Sequence, residues 1–209
     1  MTLNDKQLEA VSHIDGPCLV LAGAGSGKTK VLTKRIVNLI NNGISPYNIL
    51  AITFTNKAAK EMKSRVENDL GNIENSIFIG TFHSFGLRIL RENYSDIGYT
   101  SNITILDADD SKAIIKRILK EENLDPQDYD IKHIINKISN AKNDNISPVE
   151  FLRLYLNEED QIIGNVYDKY TKLLKENNSV DFDDLLLKPV ELFKKRKDIL
   201  EKYQERFKY

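Results

Sequence analysis

Twelve residues, Cys18-Leu-Val-Leu-Ala-Gly-Ala-Gly-Ser-Gly-Lys-Thr29, constrain this chain more than any other stretch. The apolar run from Cys18 to Ala22 reads as a short buried strand. Gly23, Gly25 and Gly27 make a turn, and Lys28-Thr29 open a segment with helical periodicity. Strand, glycine turn and Lys-Thr at a helix start form a phosphate-binding loop. Glycines let backbone N–H groups curl around an oxyanion, and a helix N-terminus adds unpaired donors and a positive dipole end. The residues Ala22, Gly23, Ala24, Gly25, Ser26, Gly27, Lys28 and Thr29 are the candidate nucleotide cradle. Lys28 suits the β- and γ-phosphates, and the Thr29 hydroxyl suits Mg²⁺. Ala22 stands where the strict pattern has glycine. A chance Lys-Thr after a flexible turn is the bland alternative, and the flanking strand and helix argue against it.

The rest of the pattern extends an α/β reading. Asn4 or Asp5 can cap a helix with apolar positions Leu8, Val11 and Ile14. Further strands are expected at 49–54, 77–79 and 103–106, separated by helices at 28–41, 56–69 and 82–94. Such alternation predicts one parallel sheet with ligands at the C-terminal strand ends. From Asp107 to residue 178 the periodicity is helical throughout, at 109–122, 131–142, 148–156 and 158–176, and acidic residues outnumber basic ones. This block is expected to be an inserted helical subdomain, 107–178, in a motor domain whose first part is 1–106. Residues 179–209 are expected to bring two helices, 181–195 and 197–208, back to the motor.

Composition narrows the partners. A chain of 209 residues holds one large domain or one domain with an insertion. A net charge of −1 leaves nucleic acid to be met by local patches. One cysteine excludes an internal disulfide, and Cys18 in an apolar run is expected in the core. Residues 1–6 carry no leader pattern, and no apolar run approaches the ~20 residues that span a bilayer. The expectation is a cytoplasmic protein that does not enter membranes.

Five stretches occur in order: Leu3-Asn-Asp-Lys-Gln-Leu-Glu-Ala-Val11, Ala22 to Thr29, Ala51-Ile-Thr-Phe-Thr-Asn-Lys-Ala-Ala59, Gly80-Thr-Phe-His-Ser-Phe85 and Asp181-Phe-Asp-Asp-Leu-Leu186. Together they resemble the N-terminal part of the UvrD/PcrA/Rep superfamily 1 DNA helicases, over the whole chain. The resemblance implies a RecA-like P-loop motor domain with helices on both sheet faces, using ATP and Mg²⁺. It implies movement 3′→5′ along single-stranded DNA, unwinding at single-strand/duplex junctions, and roles in replication and repair. In that family a Walker B strand and a second motor domain follow. The expectation is therefore a truncated motor that binds ATP weakly and is inactive alone. Two rivals stand beside it: part of a RecB/AddA-type helicase–nuclease, and a stand-alone nucleotide- or DNA-binding module.

Residue roles follow from the resemblance. Gln7 matches the Q-motif glutamine, whose amide donates to and accepts from adenine; unaided, it reads as an exposed helix residue. Lys30 lies where many relatives stack an arginine on adenine, and lysine lacks that planar fork. Phe54, Thr55 and Asn56 are candidates for base stacking and phosphate contact; core packing and an N-cap are the structural readings. Thr81 and His83 are expected at sugar–phosphate, with Phe82 packed beneath. Asp181, Asp183 and Asp184 read as a helix start near the DNA path, with no apolar strand before them. Lys132, His133, Lys137 and Lys142 form either a phosphate patch or a solvated helix face.

Overall fold

The computed structural model describes residues 3–71 and 77–209. Met1 and Thr2, part of the stretch read for a leader, lie outside the described residues. The chain divides into two contact units, one of residues up to Phe82 together with Asp198–Tyr209, the other His83–Lys197.

In the first unit, Asn4 caps helix α1 (Asp5–Ser12). Its side chain accepts from the Gln7 N–H at 2.9 Å, and Gln7 Oε1 accepts from the Asn4 N–H at 3.0 Å. This capping box satisfies two donors that a helix start leaves orphaned. Helix α2 (Lys28–Asn41) begins after Gly27, which has a left-handed φ of 83° and contributes no side-chain cap. Strand β1 (Leu50–Thr53), helix α3 (Asn56–Leu70) and strand β2 (Phe78–Thr81) complete a β-α-β unit. The strands run parallel, with Leu50 opposite Phe78 and Thr53 opposite Thr81. Ile36 of α2, Ala51 of β1, and Met62 and Val66 of α3 make the core between them.

The run Cys18 to Ala22 corrects the sequence expectation. It is not a strand, Cys18 is exposed, and Leu19 and Leu21 are 83% and 86% exposed. An apolar run becomes a strand only where another strand offers a ladder. Among the described residues, β1 and β2 pair with each other and none pairs with 18–22.

In the second unit, helix α4 (Phe82–Glu92, whose first residue closes the first unit) leads to strand β3 (Thr104–Ile105). Four helices follow, α5 (Ala108–Glu121), α6 (Ile131–Asn143), α7 (Pro148–Leu154) and α8 (Glu158–Glu176). Strand β4 (Ser179–Val180) then pairs in parallel with β3, and helix α9 (Asp184–Lys195) closes the unit. The four helices thus leave and re-enter at neighbouring points of one strand pair. A two-residue strand carries too little alternation to be read from sequence, so β4 is a second correction: a strand does precede Asp181. Among the described residues the strands pair as two two-stranded sheets, one in each unit, where one sheet was expected.

Helix ends in this block follow one device. Asn123, Asn145 and Asn178 each adopt positive φ just past α5, α6 and α8. Past α5 and α6, the next N–H turns back to Leu119 O and Ala141 O, at 2.9 and 2.8 Å. Asparagine here does what glycine does at most helix stops. Ile115, Ile118, Leu119, Ile134, Phe151, Ile163 and Leu174 fill the helical core.

Helix α10 (Lys197–Arg206) returns the chain to the first unit, where the Leu50 N–H donates to Tyr209 O at 2.9 Å. The chain is α/β overall, with ten helices and two short parallel sheets among the described residues. Among those residues no helix is long and apolar enough to cross a membrane.

Candidate functional site

The glycine turn of the expected phosphate loop stands at the start of α2, without the strand expected before it. Gly25 and Gly27 have φ of 74° and 83°, values that strain any residue with a Cβ. The Lys28 ammonium folds back into the loop, donating to Ala22 O at 2.8 Å and Gly23 O at 2.7 Å. Ser26 Oγ donates to Gly23 O at 2.7 Å. Lys28 and Thr29 are exposed on the first turn of α2, beside backbone donors that no side chain caps. An uncapped helix start, left-handed glycines and a lysine aimed into the loop fit a phosphate chain. Lys30 is half-buried on the same turn.

Gln7 touches the glycine loop directly. Its Nε2 donates to Ser26 O at 3.0 Å, across 19 residues of sequence. A Cβ on Gly27 would lie 3.1 Å from the same nitrogen, so the loop glycine also makes room for the glutamine.

At the end of β1, Thr55 caps α3 by accepting from the Ala58 N–H at 3.1 Å. Asn56 is exposed on the first turn, and Phe54 is 91% exposed, against the core reading. Phe54 lies 6.1 Å, ring centre to ring centre, from Phe82, which is also exposed. The expectation at the end of β2 placed Phe82 beneath Thr81 and His83. Thr81 is instead buried and Phe82 faces outward, because Thr81 is the last residue of a strand paired on β1.

In the second unit His83 stacks on Phe182, 4.0 Å between ring centres at 27°. Phe182 is exposed while Asp181 and Asp184 on either side are buried. The two aspartates bond reciprocally: Asp184 N–H donates to Asp181 Oδ1 at 3.0 Å and Asp181 N–H to Asp184 Oδ2 at 3.4 Å. Sequence reasoning singled out the motif and missed this ring. An aromatic residue between acidic neighbours at a helix start was the available signal.

Lys142 sits 2.7 Å from Asp181 Oδ2 and 3.0 Å from Asp184 Oδ1. Burial works against its ammonium, but Asp184 and Asp181 outweigh it and hold its pKa above the ordinary lysine value. Burial pushes the Asp183 carboxyl up, opposed by a hydrogen bond with Ser139. Of the basic run on α6, then, Lys142 is buried. Lys137 pairs with Asp160 at 3.0 Å and His133 lies 3.6 Å from Glu159. The proposed phosphate patch is largely neutralised within the helical block.

Two comparisons bear on these motifs. The family described as UvrD/REP helicase N-terminal domain matches residues 3–209. The chain is 50% identical, over 208 residues, to the ATP-dependent DNA helicase PcrA of Bacillus subtilis (strain 168). The proteins of that name in Staphylococcus epidermidis (strain RP62A) and Staphylococcus aureus (strain Mu50) are 46% and 44% identical over the same length. Each alignment covers 99% of this chain and 28% of the relative.

Proposed function

The chain belongs to the UvrD/REP helicase N-terminal domain family, and from that premise we propose that it is the nucleotide- and strand-binding part of an ATP-dependent DNA helicase. The activity proposed for the whole protein is 3′→5′ translocation on single-stranded DNA with unwinding at duplex junctions. The chain spans 28% of the length of the relatives it matches. We propose that a second motor domain and the carboxylates that complete the metal site come from other sequence of the same polypeptide. With bacterial DNA helicases as its relatives, the location proposed is the cytoplasm. The relatives are named as ATP-dependent DNA helicases, which favours this over the helicase–nuclease and stand-alone readings.

The observation that carries the proposal is the glycine loop at the uncapped start of α2, with Lys28 turned into it. The 18–29 loop, with residues 1–106 as its RecA-like P-loop domain and 107–178 as the inserted helical subdomain, fits an Mg²⁺–ATP cradle. Lys28 would neutralise the terminal phosphates, Thr29 would hold Mg²⁺, and backbone donors of 23–29 would meet the remaining oxygens. Bound nucleotide supplies the phosphoanhydride whose cleavage drives the step. Gln7 would hold the loop through Ser26 and face adenine, with Lys30 nearby in sequence. Exposed Phe54 and Phe82 would stack bases, and Asn56 with the α3 start would meet phosphate. His83 and Phe182 offer a second aromatic pair; Thr81 would act through backbone placement, being buried.

The test is direct binding of Mg²⁺–nucleotide and of a labelled oligo-dT to this chain. Lys28→Ala is expected to abolish nucleotide binding and spare the oligonucleotide. Phe54→Ala is expected to weaken the oligonucleotide about tenfold, the worth of a stacked base, and to spare the nucleotide. Two unaffected variants would overturn the reading.

A further inference from the structure

Four residues of the second unit, Asp181-Phe-Asp-Asp184, present one exposed ring between two buried carboxylates. Their anchor lies 39 residues earlier in sequence, on α6. Lys142 is 3% exposed, and its ammonium reaches both carboxylates, at 2.7 and 3.0 Å. Tyr170 of α8 donates to Asp181 Oδ2 at 3.0 Å, and its hydroxyl also lies 3.0 Å from Ser111 Oγ of α5. Three helices of the block therefore converge on the loop that carries Phe182.

Stability does not explain this arrangement. One lysine between two buried carboxylates is a weak source of folding energy, because desolvation offsets the attraction. What such a network does well is hold one geometry, since breaking either pair strands a charge. A second contact passes that geometry on. A Cβ placed on Gly86 would lie 1.8 Å from Leu185 O, so α4 and the start of α9 meet backbone to backbone. His83 lies one turn before Gly86 on α4, and Phe182 lies three residues before Leu185.

We propose that Lys142 is a positioning residue for the strand grip: through Asp181 and Asp184 it seats the Phe182 ring against His83, without touching DNA. The proposal rests on the reading that this aromatic pair meets single-stranded DNA. Tyr170 is its second support, fixing the Asp181 carboxylate from the opposite helix.

The experiment uses this chain with its histidine ring protons followed by NMR, the His83 signal being assigned by its loss in His83→Gln. Ring current from Phe182 should displace that signal in the wild type. Lys142→Met is expected to remove the displacement and weaken oligo-dT binding about tenfold, while Tyr170→Phe does both by a smaller factor, about threefold. Lys116→Met, on the exposed face of α5, is expected to change neither. A folded Lys142→Met chain with an unmoved His83 signal, or with undiminished oligo-dT binding, overturns the positioning role alone. Should Lys142→Met not fold, an unmoved signal and unchanged affinity in Tyr170→Phe overturn it equally. A wild-type chain that shows the displaced signal yet binds no oligo-dT overturns the strand reading instead, and the grip with it.

Discussion

Gln7 holds Ser26: its Nε2 donates to the Ser26 carbonyl at 3.0 Å while its Oε1 accepts from the Asn4 N–H at 3.0 Å. The first helix and the glycine loop are thereby joined through one amide. A primary amide has two N–H donors and two lone pairs, so one of each remains for a ligand. Loop support and adenine recognition are compatible in the same side chain.

Gln7→Ala is therefore expected to weaken ATP binding about tenfold, the cost of one to two hydrogen bonds, and GTP binding by less. Loss of the capping box should lower stability by about 1 kcal/mol. Competition against a fluorescent nucleotide, with ATP and GTP in parallel, measures both affinities. Equal losses for the two nucleotides would mean that Gln7 acts through Ser26 and does not read the base.

Gly86→Ala should destabilise the His83–Lys197 unit by about 2 kcal/mol or more, since the added methyl meets backbone that cannot swing aside. Helix propensity alone favours alanine over glycine by about 1 kcal/mol, so the sign separates packing from propensity. Urea unfolding curves of the two chains give the answer. A variant as stable as the wild type would mean that α4 and α9 stand further apart.

How far the sequence reached depended on how local the signal was. Helices α2 and α8 lie where the periodicity put them, because apolar spacing and stop residues are local to each segment, with the Asn157 cap as a further signal for α8. The glycine loop was legible for the same reason. Cys18–Ala22 was misread because a strand depends on a partner elsewhere in the chain, and β4 was missed because two residues have no period. Lys142 read as part of a phosphate patch or a solvated helix face, since its two aspartates are distant in sequence. Phe182 faced outward for a reason that only its buried neighbours reveal.

Alkali should unfold the second unit before mild acid does. Lys142 is held above lysine's ordinary 10.5, and burial raises the phenols of Tyr167 and Tyr170 above tyrosine's ordinary 10.0. A raised folded pKa gives stability that is whole below the unfolded value and lost as pH climbs through the folded one, here above about pH 10. Asp160 works oppositely. The Asn157 hydrogen bond lowers its pKa from 3.8, so its contribution holds above that value and fails only below it. Thermal melts by circular dichroism between pH 3 and 11 should show a plateau in between. A steep loss between pH 5 and 7 would contradict this assignment of charges.

Cys18 offers a test of the exposed run itself. A thiol buried in a strand reacts with a disulfide reagent only after unfolding, whereas an exposed one reacts at a rate near that of the unfolded chain. With Cys18 exposed and its neighbours Leu19 and Leu21 more than four-fifths exposed, the native chain should react within about tenfold of the unfolded rate. The readout is unambiguous because Cys18 is the only cysteine in the sequence. Reaction slowed a thousandfold in buffer and restored in urea would mean that residues 18–22 are covered in solution.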